Sequence, residues 1–187
     1  MTKYIRQVAE WGVGPETSTA QAHHYRLTNV LLLFMFFAGI LETIACFLTG
    51  AIDAAILNTT APLVFGGGLL LMKTGRTVLA RLFVTSISYT AGYAMVASLG
   101  PESYFQFIFL FAGAFGLALF SLEEKWLLAF GLISPVLCFV LLEVTDYAPV
   151  LGMSRAALGG GQLVAMRIVS MFMIWSLMVF HFFYFIR

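Results

Sequence analysis

Residues 27–49, LTNVLLLFMFFAGILETIACFLT, form an apolar run in which Glu42 is the only charged side chain. As a helix such a run covers the ~30 Å of hydrocarbon that about 20 residues are needed to cross. Five more runs follow at 52–72, 77–99, 103–121, 124–142 and 163–186, separated by short charged or Gly-containing breaks. Their order predicts an all-α membrane protein, a six-transmembrane-helix bundle. Lys and Arg fix its direction: Lys3, Arg6, Arg26, Lys73, Arg76, Arg81, Lys125 and Arg187 fall on one side, and only Arg155 and Arg167 on the other. By the positive-inside rule the richer side is cytoplasmic, so both termini are expected there, in a multi-pass membrane protein.

Composition points the same way. With 61% hydrophobic and 10% charged residues and a mean hydropathy of +0.96, the chain has too little polar surface to wrap a water-soluble globule. The formal charge of +1, from 10 Lys and Arg against 9 Asp and Glu, argues against nucleic acid as a partner. The clustered cytoplasmic cations are suited to anionic membrane lipid.

The first 26 residues carry no cleavable signal pattern, because Glu10, Pro15, Glu16, His23 and His24 precede any long apolar run. The first span therefore acts as its own insertion signal. Tyr4, Ile5, Val8 and Trp11, with Lys3, Arg6, Gln7 and Glu10 between them, suit a short interfacial helix that caps the bundle. The expected division is a cytoplasmic amphipathic segment, 1–26, followed by a six-helix domain, 27–187. Cys46 and Cys138 both fall inside predicted spans, where thiols act as small apolar groups, and a disulfide between them is not favoured.

Turns such as Lys73-Thr74-Gly75-Arg76 and Leu99-Gly100-Pro101-Glu102 are short enough to make successive helices antiparallel neighbours. The stretch 144–162 is the longest break and holds Asp146, Pro149, Arg155 and Gly159-Gly160-Gly161. Long loops often carry function. Gly66-Gly67-Gly68, and Ala112 with Gly116, offer small faces where helices can approach closely. No internal repeat and no broken helix are visible, which counts against an inverted-repeat transporter.

Polar groups inside hydrocarbon are the candidate functional residues, since a charge at a helix centre costs about 2.5–3.5 kcal/mol on insertion scales. Glu42 lies about fifteen residues into the first span, a little beyond the midplane at ~1.5 Å per residue. Arg167, about one turn into the sixth span, is its natural counter-charge. The same depth count sets Asn58, Tyr89, Tyr93, Tyr104, Gln106 and Glu143 in the middle-to-outer zone. Together they predict an aromatic-walled cavity for a small amphiphile, lined by Glu42, Asn58, Tyr89, Tyr93, Gln106, Glu143 and Arg167. A structural ion pair and interfacial tyrosines are the plainer reading of the same residues.

Other polar residues read as structural. Arg81 is placed to snorkel to headgroups. Glu123 and Glu124 look like a solvated turn beside Lys125 and Trp126. Adjacent His23 and His24 lack metal-ligand spacing, and His181 stands alone among aromatics. No nucleophile turn, paired carboxylates or metal motif is present, and no cofactor is implied.

The chain resembles the six-helix membrane sensor domains that precede class III adenylate cyclase or histidine kinase domains in bacteria, including quorum-sensing kinase receptors for small apolar autoinducers. The resemblance is carried by Arg26-Leu27-Thr28-Asn29, Leu57-Asn58, the Lys73-Thr74-Gly75-Arg76 turn with Arg81, and Phe105-Gln106-Phe107-Ile108-Phe109 leading to Ser121-Leu122-Glu123-Glu124-Lys125-Trp126. It implies a homodimeric receptor that binds a small apolar or amphiphilic ligand among its helices. Its sixth helix would drive a cytoplasmic effector domain, a cyclase or kinase, beyond Arg187. The alternative from the residues is a small transporter or channel with Glu42 handling a proton or cation.

Overall fold

A computed structural model of the chain describes residues 3–50 and 52–148, together with positions 160, 161, 163, 164, 167, 168, 171 and 175. Among these residues the protein is all-helical. The elements are α1 (Lys3–Ala9), α2 (Thr19–Leu48), α3 (Ile52–Asn58), α4 (Thr60–Lys73), α5 (Thr77–Leu99), α6 (Ile108–Leu119) and α7 (Lys125–Val144). Four stretches are long and apolar enough to cross a membrane: Thr19–Leu48, Ala55–Lys73, Thr77–Leu99 and Lys125–Val144.

The helix ends follow local chemistry. Ser18 caps α2, its hydroxyl accepting from the Gln21 amide at 3.3 Å. Gly75, at φ +78°, closes α4, with the Gly75 amide donating to Met72 O and the Arg76 amide to Leu71 O, the pair of bonds that terminates a helix in the left-handed turn. Asp146, at φ 49°, makes the same turn after α7.

The predicted first span begins eight residues early. Because α2 starts at Thr19, the boundary expected at residue 26 lies inside a helix, and 3–18 is a cap packed on the bundle. Asn29 donates from its amide nitrogen to Ala9 O at 3.1 Å and Trp11 O at 2.8 Å, Arg26 pairs with Glu10 at 3.0 Å, and the Lys73 ammonium lies 5.4 Å from the centre of the Trp11 ring. Val8 and Trp11 rest on the cluster built from Leu32, Phe65 and Met72.

The predicted second span carries a proline. Pro62 has no amide to donate to the Asn58 carbonyl, so one intrahelical bond is missing where α3 meets α4, but Thr59 keeps helical angles (φ −60°, ψ −21°), its amide donates to Ala55 O at 3.0 Å, and Ala55–Lys73 runs through as one span. The predicted fourth span, 103–121, is not one continuous helix, which corrects the reading that no helix is broken. Two 3₁₀ turns, Pro101–Ser103 and Phe105–Phe107, join through Tyr104 in the left-handed region (φ 64°) and precede the twelve-residue α6. At ~1.5 Å per residue α6 alone is far shorter than hydrocarbon. Most of the predicted sixth span, 163–186, with His181, lies outside the described residues, as do Arg155, Arg187 and 149–159 of the long loop.

The helices pack through small residues. A Cβ on Gly116 would stand 2.8 Å from the Gly131 carbonyl carbon, so α6 and α7 touch backbone to backbone, and one on Gly68 would stand 2.4 Å from Val84 Cγ2, setting the approach of α4 to α5. Cys46 and Cys138 are free thiols packed in one apolar cluster with Phe105, Phe109 and Leu142.

Candidate functional site

A cavity of about 140 Å³ lies where α2, α3, α4, α5 and α6 meet. Asn58, at the end of α3, faces α2. There the Asn58 amide nitrogen donates to Gly39 O and Thr43 Oγ1, both at 3.3 Å. Gly39 permits the approach, since a Cβ there would meet Ala61 Cβ at 3.0 Å. The walls are apolar and aromatic, with Phe65, Phe109 and Phe115 among them.

Glu42 lies on this cavity and is 7% exposed. Its Oε1 is fully buried and accepts no hydrogen bond, and Ser88 Oγ, on the same cavity from α5, is likewise buried without a partner. Unsatisfied buried polar atoms are rare in folded proteins, each costing about 1–3 kcal/mol. Two such atoms on one cavity wall mark it as a place prepared for hydrogen-bonding groups.

The seven predicted site residues divide. Glu42, Asn58 and Tyr89 line the cavity. For Tyr89 it is the ring that does so, because its hydroxyl lies 3.2 Å from Ala112 O and 3.0 Å from Gly131 O. The second contact has a sequence cause: Pro135, one turn along α7, has no amide to offer the Gly131 carbonyl, and the tyrosine supplies the missing donor.

Tyr93, Gln106, Glu143 and Arg167 are not cavity-lining and are engaged elsewhere, toward the end of the bundle that holds Gly100 and Thr145. Tyr93 shares a 3.4 Å contact with Thr145 Oγ1, the Gln106 amide donates to Pro101 O at 3.1 Å, and Glu143 accepts from the Tyr147 hydroxyl. Arg167 Nε donates to Glu102 O at 2.8 Å, with the guanidinium 4.7 Å from the centre of the Tyr104 ring. The expected Glu42–Arg167 pair is therefore corrected, and among the described residues no Lys, Arg or His lines the cavity. The depth count set both residues at similar levels, but depth says nothing about which helix faces which.

Comparison with known protein families, curated proteins and solved structures finds no match to this chain.

At the opposite end of the bundle, sequence reasoning missed a second polar centre. Arg81, read as a snorkelling residue, is 1% exposed. Its guanidinium makes a two-pronged pair with Glu124, both contacts at 2.7 Å, and also donates to Leu119 O at 2.8 Å and Thr77 O at 3.2 Å. The rings of Tyr25 and Phe120 flank it at 5.5 and 5.4 Å. Glu124 is thus no solvated turn residue. Partial burial alone would raise its carboxyl, but hydrogen bonds from Arg81 and Ser121 outweigh that and hold it below its ordinary range. One signal was available: Arg81 sits a full turn inside an apolar run, where a charge needs a partner.

Proposed function

We propose that this chain is the membrane domain of a ligand-responsive receptor, with the end bearing Lys73, Arg76 and Lys125 toward the cytoplasm. A small amphiphilic ligand occupies the cavity between α2, α3, α5 and α6. The observation that carries this reading is the pair of unsatisfied buried oxygens, Glu42 Oε1 and Ser88 Oγ, on an otherwise apolar cavity. An apolar cavity of about 150 Å³ holds benzene, so the bound moiety is of that order of size. Support for signalling is the place of the site: it is bordered by α2, α3, α4, α5 and α6, so its occupant contacts most of the described bundle at once. A ligand there biases an equilibrium between two helix arrangements only by its differential affinity for them. In this proposal the chain spans the membrane six times, both termini are cytoplasmic, and the domain acts as a homodimer. Its sixth helix signals to a cyclase or kinase domain.

Thermal unfolding in lipid nanodiscs tests the binding step. A small amphiphile at 100 times its Kd should stabilise the protein by about 2.7 kcal/mol, and Ser88→Leu, which fills the cavity, should abolish the gain. A library of small amphiphiles that leaves the wild-type protein unmoved would remove the receptor reading.

Transport is the second reading, and the irregular start of the predicted fourth span, whose α6 lines the cavity with Glu42, favours it. Interrupted helices beside an intramembrane acid recur where ions and solutes are handled. Uptake of a solute into proteoliposomes driven by a pH gradient, lost in Glu42→Gln, would favour transport over reception.

A further inference from the structure

The chemistry of the cavity specifies its occupant more narrowly than size does. Every unsatisfied side-chain atom on its wall is an oxygen: Glu42 Oε1 on α2 and Ser88 Oγ on α5. Among the described residues the nearby nitrogen donor is the Asn58 amide, which is shared among Gly39 O, Thr43 Oγ1 and the Glu42 carboxyl and leaves Glu42 Oε1 unanswered. Thr85 donates its hydroxyl to Arg81 O, and Tyr89 directs its own to carbonyls of α6 and α7. With Glu42 ionised, what remains accepts hydrogen bonds and offers none, apart from the hydroxyl proton of Ser88.

The charge is equally one-sided. Glu42 is 7% exposed, and among the described residues Arg81 is committed to Glu124, Arg26 to Glu10, and Arg167 to Glu102 O and the Tyr104 ring. Phe65, Phe109 and Phe115 add aromatic surface, which attracts organic cations. A hard metal ion is a poor fit, because it needs six or more oxygens.

We propose that the cavity binds a small monocationic amine, its ammonium donating to Glu42 and Ser88 and its apolar body lying against the phenylalanines. This rests on the ligand-binding reading above and names the class of the ligand. The amine brings both the missing hydrogen-bond donors and the missing positive charge, whereas an alcohol brings one donor and no charge, and a carboxylate would meet Glu42 as a like charge.

Equilibrium dialysis of the protein in nanodiscs, against empty nanodiscs, with labelled benzylamine, benzyl alcohol, toluene and benzoate tests the class. Benzylamine should bind about tenfold or more tighter than benzyl alcohol, the ratio expected when a charge-assisted hydrogen bond replaces a neutral one. In Glu42→Gln that preference should fall to about one, with toluene binding unchanged. Ser88→Leu should exclude all of the probes. If benzyl alcohol and toluene match benzylamine and Glu42→Gln changes nothing, the cavity is a general apolar site and the amine proposal is overturned. If no probe binds above the empty-disc background, the ligand-binding reading itself fails with it.

Discussion

Arg81 and Glu124 show how position decides the worth of a charged residue. The two are not symmetric: Arg81 is sealed between Tyr25 and Phe120, while Glu124 keeps about a quarter of its side chain in contact with the surroundings, at 26% exposure. Glu124→Ala strands a buried guanidinium and should cost about 3–5 kcal/mol. Arg81→Met should cost less, since the freed carboxylate can turn outward, and adding Glu124→Gln to it should recover part of the loss. Denaturant unfolding of the three variants in micelles measures the series. Because Glu124 is held below its ordinary value of about 4.5, the pair's contribution is fully present above that pH. It fades as pH falls through the lowered folded value, so the wild-type protein should lose stability on acidification below about 4.5 and Glu124→Gln should not lose this component. A second residue-scale contrast lies in α6. Gly116→Ala drives a methyl group into the Gly131 backbone and should cost about 1–3 kcal/mol. Gly113→Ala, whose nearest neighbour would be Leu132 O at 3.9 Å, should be neutral or gain up to about 1 kcal/mol of helix propensity. The Gly116 approach was legible in the sequence as a small-residue face, and the Arg81 pair was not, because hydropathy reads depth and not partner.

Prolines organise the elements. Pro62 and Pro135 each deprive a carbonyl one turn back of its amide donor, Asn58 and Gly131 respectively, and neither breaks its span. In α7 the liberated oxygen is answered from a neighbouring helix, where Tyr89 reaches Gly131 O. Tyr89→Phe should therefore cost about 1–3 kcal/mol by leaving that carbonyl unpaired, while the cavity, lined by the ring alone, keeps its shape. Pro62→Ala should restore the amide facing the Asn58 carbonyl, and hydrogen exchange would show it as a slowly exchanging amide at position 62 of the variant. Length and apolarity were enough to find four long helices, yet they overstated the fourth predicted span. A run such as 103–121 reads as one helix by hydropathy, whereas Gly100-Pro101 and the left-handed Tyr104 make its first part irregular. That irregular entry is tolerable at membrane depth because it is covered by protein: Ser103, Phe105 and Gln106 are buried, and Ser103 donates to Gly100 O at 2.8 Å.

For the whole molecule, three of the residues that the sequence reading set at one depth, Glu42, Asn58 and Tyr89, line one cavity. It did not choose among neighbours at the same depth, because facing is settled by packing. Tyr93, Gln106, Glu143 and Arg167 went instead to closing the loops at one end. The proposed orientation is open to direct test: single cysteines at Gly75 and at Glu102 in whole cells should react with a membrane-impermeant reagent only at the latter position.

The N-terminal cap carries a consequence for biosynthesis. Gly12 is seated against Met72 O and the methyl of Thr77, so its dock does not exist until the turn after the second span has been made. At about 5–20 residues per second, a nascent chain waits several seconds between exposing Val8 and Trp11 and being able to bury them. During that interval the segment is a free amphipathic leash with its apolar residues uncovered. A bulky tag fused ahead of Lys3 would reach its docking surface late and encumbered, and lost yield from such fusions, set against normal yield from carboxy-terminal ones, is the outcome this order of assembly dictates.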